Sequence, residues 1–98
     1  MGLSLLLGMY IAIGSAQPSQ SIRRGSAYAR TNCVRCHNTE KEGESPLKLA
    51  PPFREMEIRY LIQDLIRPLT SGSHPPMPVF DVSRDQAMDL IAFIKSLR

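Results

Sequence analysis

A chain of 98 residues and 11.0 kDa holds one small domain at most. Its 12 Lys and Arg against nine Asp and Glu leave a formal charge of +3, without the Lys/Arg block that argues for nucleic acid. So short a chain buries a modest core, which a staple, a metal or a cofactor commonly reinforces.

Residues 1–16 carry no charge and form an apolar run through Ile13, followed by the small residues Gly14 and Ala16. This reads as a signal peptide cleaved before Gln17, although it lacks the usual positive n-region. The apolar run falls short of the about 20 residues that cross a bilayer, so no stable membrane insertion is expected. The expected organisation is a signal peptide over 1–16 and one domain over 17–98. All charged residues lie in that domain, which keeps the +3.

Ser21 to Thr31 contains no proline and predicts a short helix. It leads into Cys33-Val34-Arg35-Cys36-His37, and Cys-x-x-Cys-His is the attachment signature of a c-type haem. Two thiols one helical turn apart can add to the two vinyl groups on one side of a porphyrin. The imidazole that follows is then carried beneath the ring, where it can ligate iron. A lone Cys-x-x-Cys also suits half a zinc site, a thioredoxin-like redox pair or a plain disulfide. These are the only cysteines, and a zinc site would need both histidines, His37 and His74, at spacings unlike a zinc finger. No strand-rich stretch supports a thioredoxin-like unit.

Asn38 to Ser45 is polar, with Lys41 among Glu40, Glu42 and Glu44 and a glycine at 43, and reads as a solvated loop. Pro46, Pro51 and Pro52 keep the next stretch extended or turning. The apolar pattern then predicts a helical piece over Phe53 to Glu57 and a helix from Leu61 to Arg67. Pro68, which has no N–H, should end or kink it. Ser71 to Val79, with Gly72, Pro75, Pro76 and Pro78, predicts irregular chain. In the last segment Ser83 and Gln86 form a capping box, and Ala87, Leu90, Ile91, Ile94 and Leu97 follow at helical spacing. Lys95 and Arg98 suit the end of that helix. The fold class expected is all-α, a few helices joined by Pro-rich loops around one covalent haem.

A six-coordinate iron needs a second ligand, and the candidates are Met56, Met77, Met88 and His74. Met56 and Met88 fall in helical segments, where a methionine usually fills core. Met77 lies in a loop stiffened by three prolines, which can present a weak thioether at little ordering cost. It is the ligand expected, with His74 its main rival. A thioether favours ferrous iron and raises the potential relative to a second imidazole.

On these residues the chain resembles the small monohaem class I cytochromes c over nearly all of 17–98. Cys33, Cys36 and His37 stand in the family's motif, and Met77-Pro78 stands 40 residues downstream, about where its methionine ligand occurs. Ala50-Pro51-Pro52-Phe53 looks like the family's Gly-Pro-x-Leu segment. The resemblance implies that the Pro51 carbonyl accepts a hydrogen bond from His37, a contact that fixes ring orientation and basicity. It implies that Gly25, eight residues before Cys33, lets the first and last helices cross closely. Leu90 and Phe93 would pack against the first helix and the haem. Ala29 stands where the family often has an aromatic residue, so Tyr28 is expected to supply the ring. No tryptophan is present to contact a propionate, and Lys48, Arg54, Arg59 and Tyr60 are the candidate partners instead.

The function this implies is that of an exported, periplasmic carrier of single electrons, not an enzyme. It would be a monomer that docks transiently on redox proteins around the exposed haem edge, near Phe80, Pro52 and Arg35. Its alternatives are the electron-accepting subunit of one periplasmic dehydrogenase, and a haem sensor or weak peroxidase in which Met77 dissociates. A colourless thiol or zinc protein is the alternative without haem.

Overall fold

The computed structural model describes residues 18–71, Met77 and residues 81–98, and among them every regular element is helical. The first helix, α1 (Pro18–Asn32), begins three residues before the predicted one. A proline as its first residue is suited to that place, where no intrahelical N–H is needed. Gly25, Ala29 and Cys33 recur every fourth position and are all buried, giving α1 a stripe of small side chains.

That stripe receives the last helix, α4 (Arg84–Ser96). Its start is set as the sequence implies: Ser83 Oγ accepts from the Gln86 N–H at 3.1 Å, and Gln86 Oε1 accepts from the Ser83 N–H at 3.0 Å. Asp85 in the first turn and Lys95 in the last complement the helix dipole. Ala87, Leu90, Ile91, Phe93 and Ile94 form the buried face of α4. Gly25 permits the crossing with α1. A Cβ added there would lie 2.6 Å from the Asp89 carbonyl carbon and 2.9 Å from Phe93 Cβ, inside any ordinary contact. The same crossing carries a polar clasp. The Asp89 carboxylate accepts from Ser21 Oγ at 2.6 Å and from Arg24 Nε and Nη2 at 2.8 and 3.1 Å. The hydrogen bond from Arg24 holds the Asp89 carboxyl below its usual range.

Between the two long helices the chain makes shorter pieces. A 3₁₀ turn over Phe53–Glu55 leads into α2 (Met56–Arg59), and a second over Ile62–Leu65 leads into α3 (Ile66–Ser71). The first pair matches the expected helical piece near Phe53. The second departs from expectation, because Pro68 does not end the helix and α3 continues past it to Ser71. An α-helix through 61–67 would need an N–H at Pro68 for the Asp64 carbonyl, and the ring would crowd that oxygen. A 3₁₀ turn followed by an α-helix from Ile66 puts Pro68 in a first turn, where neither problem arises. Ser71, expected in irregular chain, is instead the last residue of α3.

The core gathers Ala29, Cys33, Phe53, Leu90, Phe93, Ile94 and Leu97. Ile22, Tyr28, Met56, Ile62, Leu65 and Leu69 pack around it, which brings α1, α3, α4 and the 53–65 region onto one centre. Ala29 has no exposed surface and the half-buried Tyr28 lies on the rim, so the ring is supplied one position earlier, as expected. No helix among the described residues is long and apolar enough to cross a membrane.

Candidate cofactor site at the end of the first helix

The thiol-bearing turn grows directly out of α1. The Cys33 N–H donates to the Ala29 carbonyl at 2.8 Å, which continues the helical pattern one residue past Asn32. Thr31 Oγ1 and Asn32 Nδ2 donate to the Ala27 and Tyr28 carbonyls, so side chains also occupy the last carbonyls of the helix. The chain then makes one more turn. The Cys36 and His37 N–H groups both reach the Cys33 carbonyl, at 3.2 and 2.9 Å. The spacing therefore does what the sequence implies: both cysteines and His37 share a single turn.

Both cysteines are free thiols, Cys33 buried and Cys36 half-buried. Burial pushes the Cys33 thiol up to about 11. His37 is 9% exposed, and its Nδ1 lies 2.7 Å from the Pro51 carbonyl oxygen. A carbonyl can only accept, so Nδ1 carries the proton and Nε2 the lone pair of the neutral ring. This is the tautomer a metal-ligating histidine adopts when its other nitrogen is anchored to the backbone. The Pro51 contact is the one that the resemblance implies.

Two features of the site were not legible beforehand. One is the order of the loop after His37. Asn38 Nδ2 donates to the Glu42 and Glu44 carbonyls, each at 3.1 Å, and Asn38 Oδ1 accepts from the Glu40 N–H at 2.7 Å. The Asn38 N–H donates to Ser45 Oγ, and Gly43 adopts a φ of 100°, which a side chain would resist. An asparagine opening a polar stretch that contains a glycine is the sequence signal for such a turn. The second is the wall behind the imidazole. Phe53 is 3% exposed, with its ring centroid 5.0 Å from that of His37, and it meets Phe93 edge-on at 6.4 Å.

The remaining candidates are more dispersed. Met77 is half-buried at a bend, while His74 and Phe80 lie outside the described residues. Met56 packs on the core, and Met88, at 47% exposed, faces outward from α4. Lys48, Arg59 and Tyr60 are exposed, Arg59 within 3.5 Å of Glu55. Arg54 Nη2 donates to the Gly43 carbonyl, while its Nη1 is buried with no hydrogen bond. Arg35 is exposed and Pro52 half-buried. Among the described residues no three His, Cys, Asp or Glu side chains converge as a metal-binding group.

The cytochrome c family model matches residues 22–98, a span that contains the thiol turn, the Pro51 contact and both crossing helices. The chain belongs to the cytochrome c family. It is also 30% identical over 74 residues to a cytochrome c-553-like protein of Synechocystis sp., covering 76% of this chain and 67% of that one. No solved structure matches it. Membership brings covalently attached haem c as the cofactor and electron carriage as the role. The donor chemistry fits: two unpaired thiols on one turn, followed by an imidazole whose Nδ1–H is already committed to a carbonyl.

Proposed function

We propose that this cytochrome c is an exported monohaem carrier that shuttles single electrons between redox proteins, with Cys33 and Cys36 as its thioether attachments and His37 and Met77 as its axial ligands. The observation that carries the reading is the 2.7 Å contact between His37 Nδ1 and the Pro51 carbonyl at the end of the thiol turn. When bound, haem c supplies the one-electron Fe(III)/Fe(II) couple.

The residues around it orient and shield. Pro51 fixes the tautomer of His37 and increases the basicity of Nε2. Phe53, Ala29, Leu90 and Phe93 close the core behind the thiol turn and exclude water from it. Low local polarity and limited access keep reorganisation small, and they act on the potential together with ligand identity. Met77 would provide a soft thioether on the opposite side, held by the prolines that flank it in sequence. Occupation of both axial positions leaves no place for oxygen or peroxide, which suits a carrier and not an enzyme.

The uncharged apolar segment over 1–16 supports export to the periplasm, where thiols and haem are joined outside the cytoplasm. The exposed Arg35 and half-buried Pro52 support brief, electrostatically guided docking of a monomer near the thiol turn.

The test is the absorption spectrum of protein exported alongside haem-maturation machinery, oxidised and then reduced. A sharp c-type α band that survives acid–acetone extraction, with a weak far-red sulfur-to-iron band in the oxidised form, is expected. An α band without the far-red feature would remove Met77 from the iron. Absence of bound haem would overturn the whole reading.

A further inference from the structure

Cys36, His37 and Asn38 are each bound to the segment that returns past them. The Cys36 carbonyl accepts from the Leu47 N–H at 3.1 Å, and the Asn38 carbonyl accepts from the Phe53 N–H at 2.9 Å. Between these two bonds the Pro51 carbonyl oxygen lies 2.7 Å from His37 Nδ1. The oxygen that meets the imidazole is therefore bracketed by backbone bonds at residues 47 and 53, and one of them ends on Asn38.

Asn38 is in turn held by the loop it opens. Its N–H donates to Ser45 Oγ at 3.0 Å, its Nδ2 donates to the Glu42 and Glu44 carbonyls, and its Oδ1 accepts from the Glu40 N–H. Every polar group of Asn38, backbone and side chain, is thus engaged. Aspartate would have the length but no donor, and serine has a single hydroxyl. The residue between the two carbonyls that Nδ2 reaches is Gly43. A Cβ there would fall 2.7 Å from Nδ2, on a backbone whose φ of 100° resists a side chain. A polar turn of this kind ordinarily ends in solvent, whereas this one is built on the residue next to the imidazole.

We propose that Asn38 is a positioning residue for electron carriage: by closing the 38–45 loop it fixes its own carbonyl, through the Phe53 N–H the 51–53 segment, and so the Pro51 carbonyl against His37 Nδ1. This deepens the function proposed above and rests on His37 being the proximal ligand. The Pro51 carbonyl is one of the groups that His37 touches, and it bears on ligand strength. A carbonyl that accepts from Nδ1–H makes Nε2 the stronger donor, which favours ferric iron and lowers the potential. Loosening Asn38 lengthens that bond and raises the potential. Loss of a thioether ligand acts the other way, so the direction of the change separates repositioning from general disorder.

The experiment is a spectroelectrochemical titration of the holoprotein, with NMR of ¹⁵N-labelled histidine, for the native chain, Asn38→Ala, Gly43→Ala and Ser45→Ala. Ser83→Ala, which lowers stability away from the loop, is the control. The native protein tests the underlying reading first: strongly shifted His37 ring nitrogens in the oxidised form show that the imidazole is on the iron. Unshifted nitrogens would refute that ligation and this proposal with it. With ligation established, Asn38→Ala should raise the midpoint potential and leave the far-red region as in the native protein. The Nδ1–H proton of its reduced form should move upfield as the hydrogen bond weakens. Gly43→Ala should do the same, because its methyl crowds Nδ2. Ser45→Ala should follow to a smaller extent, and Ser83→Ala should keep the native potential. A native potential and Nδ1–H resonance in a folded Asn38→Ala or Gly43→Ala protein of lowered stability would overturn the proposal and leave the loop as packing. A lowered potential would overturn it too. Should neither variant yield holoprotein, Ser45→Ala decides by the same criteria.

Discussion

Replacing Gly25 by alanine tests the helix crossing on which the whole arrangement rests. Carbon atoms in contact sit about 3.5 Å apart or more. The new methyl would fall 2.6 Å from the Asp89 carbonyl carbon, so α1 and α4 must part by about 1 Å. Neither obstacle can swing aside, since one is helix backbone and the other is the Cβ of Phe93. A gap of that size forfeits a quarter to a half of each dispersion contact across the seam. Leu90 is 1% exposed and Phe93 5%, and a buried side chain of this kind makes about 50 contacts of about 0.15 kcal/mol. If half of these face α1, each side chain loses about 1–2 kcal/mol.

Alanine returns about 1 kcal/mol through its better helix propensity. The net expectation is a destabilisation of about 1–3 kcal/mol, the usual range for overpacking. In a domain of this size that lowers the melting temperature by roughly 4–8 °C for each kcal/mol. Thermal unfolding of the holoprotein followed by circular dichroism reads it directly. Ala27→Gly on the exposed face of α1 is the control, expected to cost about 1 kcal/mol from propensity alone. A Gly25→Ala protein as stable as the native one, or more stable, would refute the close crossing.

Further expectations concern the ligands, the clasp and the cap. Met77→Ala should retain covalent haem but lower the midpoint potential and let added imidazole or carbon monoxide bind, and an unaltered potential would remove Met77 from the iron. His37→Ala should abolish accumulation of holoprotein during export, which haem staining of gels would show; normal yield would contradict the ligand role. Asp89 has a depressed pKa when folded, so its stabilising contribution is complete above the unfolded value of about 3.9 and is lost as pH falls through the folded value. The stability gap between the native protein and Asp89→Asn should accordingly be constant near neutrality and shrink under acid, and a gap independent of pH would argue against the clasp with Arg24. Ser83→Ala should cost about 1 kcal/mol in chemical denaturation through loss of the cap.

How far these features can be read in the sequence depends on the range over which each is determined. The thiol turn and the capping box are local: Cys33 to His37 and Ser83 to Gln86 each close within one turn, so spacing alone specifies the contacts. The segment around Pro68 fell between two local rules. A proline forbids the interior of a helix but favours its first turn, and the choice depends on where Ile62, Leu65 and Leu69 meet the core. The Asp89 clasp links residues 65 and 68 positions apart, and no pattern within either helix announces it.

Phe53 shows why a site can be legible in its thiols and imidazole yet not in the wall behind them. In sequence it is one apolar residue following two prolines, and any large apolar side chain would satisfy the pattern. Its placement against His37 needs the Pro51 carbonyl to reach Nδ1, its own N–H to reach Asn38, and Phe93 to arrive from the far end of the chain. The three contacts join segments from the middle and both ends of the described chain, so no local pattern announces them together. The thiols and the imidazole are written in five consecutive residues, whereas the aromatic wall behind them is a property of the closed fold.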